Sequence, residues 1–475
     1  MELSITIEGR NRLSTQVYRQ IRAAILSERM QVGERLPATR ELARQLNVSR
    51  NTIISAYDRL VSEGYLRASL GSGTYVEHHL SGPASGPDRA SSPEPPALSG
   101  FARRLVHPAP IVPKHDLPYD FRPGVPELRL FPMAAWRRIA ARHWRRLNAS
   151  VAYYGDPAGD PTLRSAVARY FAHSRALHCT GDDVLIVSGS QQALDLIARI
   201  LIEPGDVVAV EDPGYPAALA AFRAHGARIA PIPVDSDGIC TSALPRKAKL
   251  VYVTPSHQFP LGVPLSLARR RALLDWARRT SSLIIEDDYD SEFRYGGRPL
   301  ESLQGLDNAG RVIYLGTFSK VLFPSLRLGF VAMPPSLRAS FLAGKWITDR
   351  HTETTEQHII ADFINEGHFG RHVRRMQRLY AQRYEVLLEA LERWLPIFSP
   401  LPSISGLHLA GFLPDRFRVA DLIARSAATG VGLYAIEPFY QRNARPGLLF
   451  GFGNCATADI TEGIRRVGNV YRTIR

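Results

Sequence analysis

The chain's 475 residues allow two or three domains, and its 45% hydrophobic content can build a substantial core. A net charge of +14 leaves a polyanionic partner open. Three widely separated cysteines, Cys179, Cys240 and Cys455, exclude a disulfide framework, show no metal spacing and fit a reducing cytoplasm. No stretch approaches the roughly 18 consecutive apolar residues of a membrane helix. The opening Met1-Glu2-Leu3-Ser4-Ile5 is not expected to be a signal peptide.

Residues 1–78 read as a small DNA-reading module. Val17, Ile21, Ala24 and Ile25 share one face of a helix over Ser14–Ser27. A second helix is expected over Ala38–Leu46 and a third over Arg50–Glu63, with Ser49 as its N-cap and Gly64 at its C-terminal αL position. Two short helices joined by a tight turn make a helix-turn-helix, whose second helix places its opening residues against base edges. There Arg50 can read guanine, Asn51 adenine, and Thr52 a phosphate or a thymine methyl. Arg35 and Arg40 are candidate phosphate contacts. Two short strands around Gly71-Ser72-Gly73 form a wing suited to the minor groove. Eleven arginines against eight acids give this module only a modest positive balance, so charge alone does not decide the reading. Four motifs do more. They are Arg35–Ala43, Val48–Thr52, Glu63–Leu66 and Gly71–Val76, and in that order they resemble the DNA-binding domain of the GntR family of bacterial regulators.

Within residues 79–115, the run His79–Pro96 is rich in Pro, Gly and Ser, with almost no large apolar side chain. Such a stretch cannot offset its ordering entropy and reads as a linker.

From 116 to 475, strand-like runs alternate with helical ones, which argues a mostly parallel sheet covered by helices. Polar groups follow the strands, where open α/β sheets keep their ligands. Ser188-Gly189-Ser190-Gln191 opens a helix whose free N–H groups suit a phosphate. Tyr215 can stack on a ring, and the acids of Glu286–Asp290 offer a carboxylate to a pyridinium proton. Lys320 follows the apolar run Arg311–Leu315 and is one of only five lysines in the chain. Arginine, which supplies nearly all the other positive charge, cannot form a Schiff base. Arg327, seven residues on, is placed for a phosphate. A phosphate cradle, a ring stacker, an acid and a lysine are together what pyridoxal 5′-phosphate (PLP) requires.

The order of these motifs also resembles fold-type I aminotransferases over nearly all of 116–475. The resemblance implies Lys320 as the Schiff-base lysine, Asp287 on the pyridine nitrogen and Tyr289 on the phenolic oxygen. It implies Tyr215 on the ring, with Ser190, Gln191, Thr317, Ser319 and Arg327 on the phosphate. The segment Tyr153–Gly159 matches one in which a tyrosine, here Tyr154, reaches the partner subunit's phosphate, so a homodimer is expected. A GntR-type winged helix, a linker and an aminotransferase-like domain together resemble the MocR/GabR subfamily of regulators. That resemblance implies a double-stranded DNA operator and a small-molecule effector, either PLP itself or an amine or amino acid.

Two features depart from an enzyme. The loop after Leu250–Val253 holds His257-Gln258-Phe259 where aminotransferases usually place an asparagine, so His257 is a candidate replacement. Leu449 stands where enzymes usually carry the arginine that grips a substrate α-carboxylate, with Arg442 and Arg445 as candidate stand-ins. The reading is therefore a PLP-dependent regulator. The alternatives are a working aminotransferase with an accessory winged helix, and a DNA binder whose second domain is only a scaffold. The basic run His368–Arg378 is read as a solvated helix face in preference to a track for DNA.

Overall fold

The protein is seen in a computed structural model that describes residues 5–9, 11–69, 72–77, 97–105, 117–145, 153–295, 301–403 and 405–474. It divides into two compact units, Met1–Ala97 and Leu98–Arg475.

The first unit runs α1 (Leu13–Leu26), α2 (Thr39–Gln45), α3 (Arg50–Ser62), β1 (Leu66–Ser69) and β2 (Gly73–Val76). The expected apolar stripes meet in its core: Val17, Ile21 and Ile25 from α1, Leu42 from α2, and Ile53, Tyr57 and Leu60 from α3. Ser49 Oγ accepts the Thr52 N–H at 3.1 Å, which caps α3, and Gly64 leaves the helix at φ +78°. β1 and β2 pair antiparallel as the wing. The wing has a third member that the sequence did not suggest. Gly33 N–H and Leu36 N–H donate to Val76 O and Thr74 O, each at 2.8 Å, so residues 33–36 join its edge. Gly71 lies outside the described residues.

The second unit begins inside the stretch read as linker. Ser99 caps a short helix, Gly100–Arg104, whose Phe101 ring packs 5.0 Å from the His225 ring and whose Arg104 Nε donates to Ala224 O at 3.0 Å. One aromatic in a polar stretch supplies the anchor. The rest of 79–115 lies outside the described residues.

The strands that follow are β3 (Tyr119–Asp120), β4 (Val184–Val187), β5 (Val207–Asp212), β6 (Arg228–Asp235), β7 (Gly238–Ile239), β8 (Ala248–Val253), β9 (Leu283–Asp288), β10 (Val312–Thr317) and β11 (Gly329–Ala332). All but β3 form one eight-stranded sheet in the order β4-β11-β10-β9-β8-β5-β6-β7. β6, β5, β8, β9 and β10 run parallel, whereas β11 runs antiparallel between β10 and β4. The mostly parallel sheet is as expected, but β11 was not foreseen. A second sheet uses β12 (Ser399–Pro400), β13 (His408–Phe412), β15 (Tyr434–Ala435) and β16 (Gly447–Gly451), while β14 (Val431–Gly432) pairs with β3. Helices His368–Trp394 and Thr457–Ile474 pack together beside it. Among the described residues no helix is long and apolar enough to cross a membrane.

Candidate functional site

Five parallel strands bring their C-terminal ends to one edge of the sheet, and the loops there enclose a cavity of about 330 Å³. Lys320, Asp287, Tyr289, Tyr215, Ser190, Gln191, Thr317, Ser319 and Arg327 all line it. β10 ends at Thr317, and the chain then turns through Lys320 to Arg327 before returning as β11. β11 pairs with β4, whose end carries Ser188-Gly189-Ser190. The amine and the anion-binding groups therefore come from one hairpin and the strand beside it.

Lys320 Nζ donates to Gly124 O at 2.8 Å. Gly124 has φ +74°, and a Cβ there would stand 2.9 Å from that nitrogen, so the cavity needs glycine at this point. Burial pushes the Lys320 pKa down, against the pull of Asp290 and Asp287. A lowered lysine is a better nucleophile because more of it is unprotonated.

The acidic run sorts itself by strand alternation. Glu286 and Asp288 point to one face of β9, where Glu286 accepts the Leu303 and Gln304 N–H groups and Asp288 pairs with buried Arg175 at 2.8 Å. Asp287 points to the other face and into the cavity. Burial raises its pKa to about 6, while the Tyr252 hydroxyl, donating at 2.6 Å, lowers it. At the far end, helix Ser190–Leu201 starts at Gly189 without a side-chain cap. Its first N–H groups face the same space as Arg327, whose Nη2 is held by Ser188 O at 2.9 Å. This end suits an anion.

The cavity also contains residues that sequence reasoning passed over: Gly124, Tyr252 and His408. His408 Nε2 donates to Pro260 O at 3.0 Å, and burial, then the charge of His257, push its pKa well below the ordinary value.

Similarity to known proteins follows the same division. Residues 13–76 match the model for bacterial regulatory proteins of the gntR family, and residues 124–436 match aminotransferase class I and II. The chain is 37% identical over 469 residues to the probable rhizopine catabolism regulatory protein MocR of Rhizobium meliloti, covering 96% of this chain and 93% of that one. The chain belongs to the MocR subfamily of GntR regulators. Another relative, the pyridoxine biosynthesis regulator PdxR of Corynebacterium glutamicum, is 32% identical, with 93% of this chain and 92% of that one covered. The structure resembles a kynurenine aminotransferase of Pyrococcus horikoshii at a TM-score of 0.71 and 31% identity, covering 76% of this chain and 92% of that one. A MocR-type chain is a transcriptional regulator with a DNA-binding helix-turn-helix and a domain of the PLP-binding, fold-type I aminotransferase architecture.

Two expected cofactor contacts of this MocR-type chain, His257 and Tyr154, and the two candidate acid-gripping arginines, Arg442 and Arg445, do not line the cavity. His257 is buried behind Tyr289; its Nδ1 donates to Asp290 at 3.0 Å and its backbone oxygen accepts the Tyr289 hydroxyl at 2.8 Å. The ring therefore backs the cavity wall and does not line the cavity. Phe259, from the same loop, does line it. Tyr154 is 76% exposed, in a separate surface depression beneath Arg350. Leu449 is fully buried among Leu261, Val263, Ala410, Tyr434, Ile436 and Phe439. Arg442 and Arg445 open onto a different cavity. In the first unit Arg40, Ser49, Arg50, Asn51 and Ser72 are exposed, and Arg35 packs its guanidinium against Gly73 in the wing. Thr52 is half-buried, with its hydroxyl 2.8 Å from Ser49 Oγ.

Proposed function

We propose that this MocR-type regulator is cytoplasmic, holds PLP on Lys320, and answers a small effector by changing how its winged helices sit on an operator. One observation carries the reading: a single cavity joins a depressed lysine, a buried acid of raised pKa, an aromatic wall and an anion-binding end. The fit to PLP is good in chemistry and in shape. Bound PLP supplies an aldehyde for an amine to condense with and a ring that withdraws electrons. Lys320 offers the amine. Asp287, as the carboxylate, would hold a proton on the ring nitrogen, and the positive ring would offset the burial that by itself raises the acid's pKa. Tyr215 would cover the ring, Tyr289, its hydroxyl tied to His257 O, would face the phenolic oxygen, and Ser190, Gln191, Thr317, Ser319 and Arg327 would hold the phosphate.

The apolar surroundings of Leu449, with Arg442 and Arg445 outside the cavity, support an effector without an α-carboxylate, or PLP itself. The exposed Tyr154 fits a homodimer in which it meets the partner's phosphate. The stretch read as a linker, 79–115, would join a DNA-reading domain, 1–78, to the sensor domain, which takes up Gly100–Arg104 of that stretch beside 116–475. Arg35, Arg40 and residues 49–52 would contact the duplex, with Gly71, Ser72 and Gly73 at the wing tip.

The test is the visible spectrum of purified protein before and after PLP, followed by borohydride reduction and peptide mapping. We expect a band that survives dialysis and a reduced adduct on Lys320, both absent in Lys320→Ala. An unchanged band in that variant sinks the assignment. Turnover of an amino acid with a keto acid, lost in the same variant, would instead establish the enzyme reading. On the DNA side, Arg50→Ala should weaken binding to a selected operator by about 5- to 150-fold, the equivalent of about 1–3 kcal/mol. Binding to random duplex should stay nearly unchanged. Equal loss on both overturns base readout by Arg50.

A further inference from the structure

A second cavity, of about 800 Å³, lies between the β6 edge of the large sheet and the C-terminal sheet. Its size suits a small organic molecule. Leu261, Val263, Leu401 and Phe412 make much of its lining apolar, and four charged residues stand at its edge: Asp212, Asp235, Arg442 and Arg445.

The two acids are already engaged. Asp212 accepts the Gln441 and Arg442 backbone N–H groups at 2.7 and 3.1 Å. Asp235 accepts Arg269 Nη2 at 2.7 Å and the Asp237 N–H at 2.9 Å. The two arginines form no ion pair: among the described residues, neither guanidinium comes within 4.0 Å of a carboxylate oxygen, although the Arg442 charge is felt at Asp212. Arg445 instead sets its guanidinium carbon over Phe412, 3.8 Å from the ring centroid, a cation–π contact beside the cavity. A largely apolar pocket bordered by two guanidiniums that pair with no carboxylate is complementary to an organic anion with an apolar body.

This cavity shares its walls with the cofactor cleft. Asp212 faces the outer cavity, and Tyr215, three residues on, faces the cleft. Thr254 and Phe259 face the cleft, whereas Leu261 and Val263 of the same loop face outward. Buried Gln258 ties the two segments together, donating to Pro213 O at 2.8 Å and to Glu211 at 3.2 Å. The loop that carries Arg442 is bound to the first segment as well, because Gly214 N–H donates to Phe439 O at 3.1 Å.

We propose that the outer cavity is a second binding site, for a small carboxylate or sulfonate with an aliphatic or aromatic body. Its occupancy is felt at Tyr215 through the shared walls. The binding stands on this cavity alone; the coupling rests on the PLP reading above.

The test uses 8-anilinonaphthalene-1-sulfonate as a fluorescent probe and octanoate as a competitor, on the full chain without PLP. One probe per chain should bind and octanoate should displace it. Arg442→Gln/Arg445→Gln, both at exposed positions, should weaken probe binding by roughly tenfold or more. Leu401→Trp, which fills the cavity without touching its charge, should weaken it as well. Equal affinity in all three proteins overturns the site. With PLP loaded, saturating octanoate should shift the visible band of the parent protein and leave that of the double variant unmoved. A parent band that does not move overturns the coupling. A chain that takes up no PLP sinks the PLP reading, while the probe titration still decides the site.

Discussion

The two sides of the cleft around Lys320 are built on different principles. On the side of the large sheet, three charged groups have their own partners: Lys320 with Gly124 O, Asp287 with Tyr252, Arg327 with Ser188 O. On the side of the small C-terminal sheet, the position where an enzyme would grip an acid is Leu449, packed in an apolar cluster. Holding a cofactor and orienting a substrate are thus separable tasks, supplied by different sheets. A chain can keep the first while the residues of the second turn to packing, because strand ends of the large sheet are fixed by their own ladder.

The largest effect that would break this contrast is at the apolar side. Leu449→Ala should lower stability to urea by about 2–5 kcal/mol, as a cavity in a full core does, while leaving the lysine adduct intact. A stability unchanged by the substitution would mean that the side chain is not packing at all. On the polar side the stabilities should depend on pH. Burial raises Asp287 from 3.8 to about 6, so the folded state keeps its proton where the unfolded chain has lost it. Stability of the PLP-free protein should therefore fall as pH rises from about 4 through about 6, by up to about 3 kcal/mol for this group. Buried Glu211, raised by burial to about 7, adds to the fall and carries it further. Asp287→Asn should be the more stable protein near pH 7 and gain nothing near pH 4; urea titrations at the two pH values check it. Smallest is Tyr252→Phe. Losing a hydroxyl donor that holds Asp287 down should move the midpoint of the same pH profile upward by less than about one unit, the equivalent of about 1 kcal/mol. A downward move would contradict the hydrogen bond.

The parts of the site that could be read in the sequence are those that follow a strand directly. Lys320, Asp287 and Arg327 sit next to apolar runs, and a charged side chain there has few purely structural tasks. The acid run was ambiguous as a string, and only the alternation of β9 separates Asp287 from its neighbours. Gly124, Tyr252 and His408 were not legible, because each comes singly from a segment with no motif. Tyr252 looks like packing within an apolar strand until its hydroxyl is found 2.6 Å from Asp287. β11 is four residues long, and its reversed direction is a tertiary fact. The bridge that Arg35 makes to the wing lies between Gly33 and Pro37, residues that interrupt regular structure and hide it in the sequence. His257 was sorted into the cavity by its loop, but its pairing with Asp290 draws the ring behind the wall.

The separate core of the first unit has a consequence for synthesis. Residues from Val17 to Val76 close that core, whereas the cleft draws on groups from Gly124 to His408. At roughly 5–20 residues per second, translation completes the first unit tens of seconds before the last of the cleft emerges. During that interval a nascent chain on the ribosome can already fold its DNA-reading unit, while the cleft around Lys320 is still incomplete.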